Sequence, residues 1–545
     1  MDKIQSLYPS QDGNEHQRFY ILDNLNKLLT GIDQLKDPSK LILGKGNFHQ
    51  GNYSLEMNSY SEIPTQGIPI TETIDHLLEL SNGHRYVNSN YVANAAPLPN
   101  IASVLGNLLM TLLNGNNIWD VESLTASKLE AALTEMLSRV VGYDEALSGG
   151  YTTWGGQGAV FNSLRIAITK HFPQTNEVGI PPNLYCFCSE LSHYSLYKSV
   201  EATGIGTNNL VKIRTNPDHS MDIEDLIIKM EQVIEIGGIP IYILATMGST
   251  DSFAIDDLEK IKETAHYFEK KNGLAPIYIH ADTAMGGMFT FFNNYNFEEN
   301  PLFFEKETLE NLKNYHKYFS SIHLADSMVF DFHKLGQTPY ASSLFLIKKA
   351  ENFRFVDLET EETPYVGKRE YGKYHTSYTL ECSRMGSSIP IYASLLTLGI
   401  EGYQKILANY LQVNLEFRKQ LTKAFKYVAV TNQVSPVTTF RFYPKNILWE
   451  KEQLGMLDSN QINEINQFNA SFGEKLGMER HRIYFGNTSR QCIIDTIDNL
   501  RIPVYAHKFF SISPYTTIDI VPKYIDFLKE QMEVFLQNQY SLLGK

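Results

Sequence analysis

Residues 1 to about 95 show no sustained hydrophobic period; Gly44, Gly46, Gly51, Gly67 and Gly83 punctuate a polar, turn-rich stretch. That texture suits an arm that packs against another body rather than folding alone. From about 96 to 380 short apolar runs alternate with amphipathic segments of helical period, the pattern of βα units around a mostly parallel central sheet with helices on both faces. Strands are expected over 183–189, 239–246, 276–282, 327–332 and 342–348. Between the second and third, Asp256 reads as an N-cap, Ile261, Ala265 and Phe268 fall at helical spacing, and Gly273 is the stop. Parallel strands joined by such crossovers put their carboxyl ends on one edge, where open α/β sheets bind ligands. After about 385 the pattern changes to a strongly helical run, 389–415, then short strands and helices up to a last helix over 524–536. The division expected is an amino-terminal arm (1–95), a large α/β domain (96–384) and a small carboxy-terminal α+β domain (385–545), without internal repeat or low-complexity linker.

Composition narrows the class. At about 150 residues per domain, 545 residues suggest roughly three to four units, although doubly wound domains often exceed that length. Lys plus Arg total 47 against 61 for Asp plus Glu, a formal charge of −14, and no basic run tracks a phosphate backbone. Nucleic acid is therefore not an expected partner. The first residues lack the apolar core of a signal peptide, and no eighteen apolar residues run together, so a soluble, cytoplasmic protein without membrane association is expected. Four cysteines are too few to staple a chain of this length; Cys186 and Cys188 would share one face of a strand, and all four read as reduced.

The chemistry begins with two strand ends. His280-Ala281-Asp282-Thr283-Ala284 and Asp331-Phe332-His333-Lys334 set a carboxylate and a lysine 52 positions apart, each closing a short apolar run. Pyridoxal phosphate needs that pair: the lysine for a Schiff base with its aldehyde, the aspartate to keep its pyridinium nitrogen protonated. The stretch Trp154-Gly155-Gly156-Gln157-Gly158 leads into a helix pattern over 160–170, so backbone N–H groups and the positive helix end would face an anion such as the cofactor phosphate. The alternative is a tight turn before a helix. Thr246-Met247-Gly248-Ser249-Thr250 opens a loop whose hydroxyls, Thr250 among them, would reach the cofactor's phenolic oxygen or a substrate carboxylate. His193, after the strand over 183–189, would lie flat against the ring, with Ala284 as the opposite wall. His333 points away from Lys334 on an extended strand unless the backbone turns there; Ser327, Asp331 and His333 are candidates for the phosphate end. Burial and the neighbouring pyridinium would lower the lysine's pKa.

These segments, running from about 95 to about 405, resemble in order those of the group II pyridoxal-phosphate-dependent amino-acid decarboxylases, which include glutamate, aromatic amino-acid and tyrosine enzymes. They are the glycine turn, SELSHYS from Ser189, TMGST followed by Ala254-Ile255-Asp256, HADTAMGG from His280, ADSMVFDFHK ending at Lys334, and Glu381-Cys382-Ser383-Arg384. The stretch from His193 to Asp222 is most similar to the tyrosine branch. The resemblance implies fold type I, Lys334 as the Schiff-base lysine, Asp282 as pyridinium partner, and His193 and Ala284 on the two ring faces. It also implies a loop tyrosine that protonates the substrate's α-carbon, matched by Tyr365 with Tyr371, Tyr374 and Tyr378 as competitors. Further implications are an L-amino-acid substrate and a homodimer with active sites at the interface. Two positions depart from the family pattern: Gln157-Gly158 replaces a hydroxyl residue followed by an acidic one, so phosphate contacts would lean on the glutamine amide and backbone, and Phe332 replaces a proline.

Rival readings are another pyridoxal-phosphate reaction, transamination or carbon–carbon cleavage, and a metal-dependent hydrolase using His280, Asp282, Asp331 and His333. A non-catalytic binding protein would not need Lys334 and Asp282. Arg384 reads as a structural ion-pair partner in preference to a substrate-carboxylate ligand. Side-chain selectivity is expected from residues near Asn94 to Asn100.

Overall fold

The computed structural model describes residues 2–45, 62–362, 378–444 and 449–543. The chain forms two compact units, 1–92 with 472–485 and 530–545, and 93–471 with 486–529. In the first, helices Glu15–Leu35 and Ile70–Leu80 pack together, and Tyr91 and Val92 pair in parallel with Tyr484 and Phe485. Asn14 caps the longer helix by accepting the Gln17 N–H at 3.0 Å. This stretch is more helical than its glycines suggest, because they cluster after residue 43 while 15–35 holds only Gly31.

The second unit is built on seven strands: β1 (Gly149–Thr153), β2 (Leu184–Ser189), β3 (Leu210–Ile213), β4 (Ile239–Thr246), β5 (Tyr278–Asp282), β6 (Ser327–Asp331) and β7 (Ser343–Ile347). Their order is β1-β7-β6-β5-β4-β2-β3, and only β7 runs antiparallel to its neighbours. The five strands expected from the apolar runs all form, within two residues of their limits. Every residue of β5, β6 and β7 is buried. Since successive side chains point to opposite faces, both faces of the sheet are covered, which is why these strands read as unbroken apolar runs.

The crossover from β4 to β5 is helix Leu258–Asn272, which buries Leu258, Ile261, Ala265 and Phe268 and ends at Gly273 with φ 63°. Its cap is Asp257, accepting the Lys260 N–H at 3.1 Å, rather than Asp256. Asp256 is fully buried and bridges the Thr246 and Met221 N–H groups, both at 2.7 Å, which ties down the end of β4. The turns after β4 and β5 interlock so closely that a β-carbon on Gly286 would collide with the Met247 carbonyl.

Beyond the sheet, helix Ser388–Ala424 extends past the expected 389–415 and is interrupted at Gly399, φ 61°. Val428–Val430, Val437–Phe442 and Ala506–Phe510 make an antiparallel sheet that residues 486–488 extend. Among the described residues no helix is long and apolar enough to cross a membrane. Cys186, Cys188, Cys382 and Cys492 are free thiols, and only Cys382 is exposed.

Candidate active site

Five strand ends converge on one cavity of about 260 Å³. β1 leads through Trp154 and Gly155 into α1 (Gly156–His171), and β2 leads through His193 into α2 (Ser195–Thr203). β4 opens into Gly248, Ser249 and Thr250, β5 ends on Asp282 with Ala284 beyond it, and β6 ends on Asp331 followed by His333 and Lys334. All these residues line the cavity. Its wall thus includes the amino ends of two helices, where backbone N–H groups lack helical partners and attract anions.

Most of the candidates inferred from sequence meet here: Gly155, Gly156, Gln157, His193, Thr250, Asp282, Ala284, His333 and Lys334. His333 and Lys334 do so together because the chain turns straight after β6; the Lys334 N–H donates to the Asp331 carbonyl at 3.0 Å. Ser327 does not join them. It begins β6, at the end of the strand away from Asp331, and its hydroxyl shares a 2.8 Å hydrogen bond with His280 Nδ1. Tyr365, Tyr371 and Tyr374 lie outside the described residues. Tyr378 packs on Phe353 and Tyr151 in the core.

Three local arrangements differ from expectation. Gln157 spends both amide hydrogens on α2, donating to the Ser195 carbonyl at 3.2 Å and Ser199 Oγ at 3.0 Å, so its amide N–H groups are committed away from an anion. Ser195 Oγ, in contrast, is buried at the cavity wall without a hydrogen-bond partner. The sequence reading passed over it, although a hydroxyl opening a helix right after a candidate histidine is a usable signal. Third, Lys334 Nζ pairs with Asp331 Oδ2 at 2.8 Å. Burial pulls the Lys334 pKa down, but Asp331 and then Asp282 outweigh it and hold the ammonium above its ordinary value. Of the two causes expected to lower it, burial acts as expected and is outweighed by Asp331.

The remaining electrostatics follow burial. Burial raises the Asp282 pKa, with Lys334 and His193 opposing, and its Oδ1 accepts the Ala284 N–H at 3.2 Å. Burial lowers His193 and His333, against the pull of Asp282 and Asp331 respectively. The loop carrying His193 is tied down at two points ahead of the histidine. Ser192 Oγ shares a 2.7 Å hydrogen bond with Thr246 Oγ1, and the buried Glu190 carboxylate accepts both Arg501 Nη atoms at 2.8 and 2.9 Å. Arg384 is structural, as read: it lies 2.5 Å from Glu130 with both side chains almost fully buried. The four residues of the metal reading do not gather, since His280 faces Ser327, and no cluster of three metal-binding side chains occurs among the described residues.

This residue set fits pyridoxal phosphate. An unpartnered buried hydroxyl and two helix amino ends suit a phosphate, while a buried carboxylate and a lysine stand on adjacent parallel strands' ends for the ring nitrogen and the aldehyde.

Comparison with known proteins agrees. The model of the pyridoxal-dependent decarboxylase conserved domain matches residues 59–303, which include Asp282 and stop short of Lys334. An L-2,4-diaminobutyrate decarboxylase of Acinetobacter baumannii is 24% identical over 370 residues, 64% of this chain and 67% of that protein. An L-tyrosine decarboxylase of Enterococcus faecium is 28% identical over 298 residues, 51% of this chain and 47% of that protein. Thus the chain spans about half to two thirds of the length of these relatives. Among solved structures, Oryza sativa TDC with PLP and tryptamine superposes with a TM-score of 0.76 at 16% identity, covering 96% of this chain and 100% of that one. The glutamate decarboxylase domain of a Vibrio parahaemolyticus protein gives 0.72 at 17% identity, covering 98% and 99%. The fold is that of the type I pyridoxal-phosphate enzymes, and over residues 59–303 the chain is similar to the pyridoxal-dependent decarboxylase conserved domain, as are its relatives among the group II pyridoxal-phosphate-dependent amino-acid decarboxylases.

Proposed function

We propose that this protein decarboxylates an L-amino acid to its amine, with Lys334 as the lysine that carries the cofactor. The observation that supports this most is the meeting of Lys334, Asp282 and His193 at one cavity from three strand ends far apart in sequence. Pyridoxal phosphate, when bound, would supply an electron sink for the electrons left at the substrate's α-carbon when the carboxylate departs. In this reading Asp282, in its buried setting, holds a proton at the ring nitrogen. His193 and Ala284 bracket the ring and fix its plane. Ser195 Oγ and the backbone N–H groups at Gly155, Gly156 and Gln157 would hold the phosphate, with His333 at its flank, and Thr250 would reach the phenolic oxygen or a substrate carboxylate. Lys334 would hold the cofactor between turnovers, and Tyr365 would be the acid that supplies a proton at the α-carbon.

The organisation we infer is the arm, cofactor domain and small domain bounded at 95 and 384; the seven-stranded sheet falling in the second part and the antiparallel sheet in the third support it. A homodimer is supported by helix Ile101–Leu113, which exposes Ile101, Leu105, Leu108, Leu109 and Leu112 as an apolar stripe. Free thiols support a reducing, cytoplasmic location.

Borohydride reduction of the cofactor-loaded protein followed by peptide mass spectrometry tests the lysine. The phosphopyridoxyl group is expected on Lys334; finding it on another lysine would refute the assignment. A Tyr365→Phe variant is expected to divert product from amine toward aldehyde, and an unchanged amine yield would remove that role.

A further inference from the structure

The carboxylate that touches Lys334 is not the one the cofactor chemistry calls for. Asp331 Oδ2 lies 2.8 Å from Lys334 Nζ, its side chain is 2% exposed, and Ser343 Oγ donates to Oδ1 at 2.6 Å. Oδ2 is also 3.7 Å from His333 Nε2. A β-carbon on Gly156, the first residue of α1, would lie 3.2 Å from it. Asp331 is thus fixed from β7, from its own turn and beside the amino end of a helix. These contacts favour its charged form, and through it the charged form of Lys334.

Other groups act on the lysine from the surrounding elements. Asp282 on β5 also favours the ammonium, and so does Tyr340, whose ring packs on His333. His193 after β2 and His333 are both kept toward neutrality by burial. Among these, Asp331 has the largest effect after burial itself. An ammonium has no lone pair, so Lys334 can attack a carbonyl only after losing a proton.

We propose that Asp331 is a positioning residue that holds Lys334 as a paired ammonium in the cofactor-free protein and takes its proton when the lysine acts as a nucleophile. The transfer is a single proton from Nζ to Oδ2: an ammonium and a carboxylate become an amine and a carboxylic acid, and no other bond changes. Asp331, rather than Asp282, then sets the reactivity of the free lysine. This rests on Lys334 being the cofactor's lysine, as proposed above.

Trace acetylation of the cofactor-free protein with acetic anhydride, read across pH 7 to 11 by peptide mass spectrometry, measures the fraction of each lysine that is unprotonated. Lys306, whose side chain is 90% exposed, is the internal reference. The Lys334 profile is expected to lie at higher pH than that of Lys306. In Asp331→Asn it shifts to lower pH, with acetylation at pH 8 rising about tenfold or more, one pKa unit being a factor of ten. Asp282→Asn shifts it less, and Asp331→Glu restores much of the wild-type profile. A wild-type Lys334 profile at or below that of Lys306 overturns the proposal, even if no variant folds. So does an Asp331→Asn profile within about twofold of wild type. Acetylation reports protonation whichever lysine binds the cofactor, whereas borohydride trapping reports the cofactor's lysine, so the two readings fail separately.

Discussion

Replacing Arg384 with Met removes the positive half of a buried pair and leaves the negative half stranded. Arg384 Nη2 lies 2.5 Å from Glu130 Oε2, with side chains 2% and 4% exposed. The guanidinium also donates to the Asn117 carbonyl at 2.9 Å and the Thr152 carbonyl at 3.1 Å. Glu130 Oε2 further accepts the Thr152 N–H at 2.8 Å and Oγ1 at 2.7 Å, so the pair anchors β1 just before the glycine turn. With Arg384 gone, those two Thr152 donors remain, but a carboxylate stays buried without a counter-charge, which typically costs about 3–5 kcal/mol. Removing both charges, as Glu130→Leu with Arg384→Met, leaves no stranded ion, and the double variant is expected to be more stable than Arg384→Met alone. Equilibrium urea unfolding of the cofactor-free proteins by tryptophan fluorescence measures both. A single-variant loss below about 1 kcal/mol, or a double variant equal to the sum of the singles, would refute the reasoning.

Gly156→Ala puts a β-carbon 3.2 Å from both Ala284 Cβ and Asp331 Oδ2; cofactor affinity by fluorescence titration should fall about tenfold or more, roughly the 1–3 kcal/mol of an overpacked contact, and unchanged affinity would contradict the crowding argument. His280 is fully buried and pushed down to about 3. Its folded value lies below its unfolded one, so the stability it contributes is present above about pH 6.5 and lost as pH falls toward 3. Between pH 7.5 and 5.5 the wild type should therefore lose about 1.4 kcal/mol more than His280→Gln; equal losses would mean that His280 is not buried neutral. Iodoacetamide on the native protein should alkylate Cys382 well before Cys186, Cys188 and Cys492, which are buried, all three pushed up in pKa by that burial. Fast labelling of Cys186 would place its strand at an edge instead of the interior.

What the sequence made legible is what local pattern controls. The five strands expected are short, mostly apolar runs, and their limits follow from that to within two residues, whereas Gly149–Thr153 and Leu210–Ile213, the one glycine-led and the other four residues long, carried no such signal. Asp282 and Lys334 stood out because strand ends collect on one edge, a topological rule that needs no side-chain detail. What remained hidden depends on partners distant in sequence. Asp256 and Asp257 are equally good caps by residue type; the Thr246 and Met221 N–H groups, 10 and 35 residues away, claim the first. Ser327 and Asp331 share one strand, and only its direction separates the residue at the cavity from the one at the far end. Gln157 appeared free to meet a phosphate until α2 was seen to occupy its amide. The Asp331–Lys334 pair required knowing that the chain turns at Phe332, where the family pattern has a proline.

The most direct test of the central claim is carbon dioxide release from a panel of L-amino acids, with 2,4-diaminobutyrate, aspartate, glutamate and the aromatic residues at equal concentration, by cofactor-loaded wild type and Lys334→Ala. The account predicts release from one chemical class by the wild type and none by the variant. Release by Lys334→Ala at the wild-type rate, or no release from any member by the loaded wild type, would contradict it.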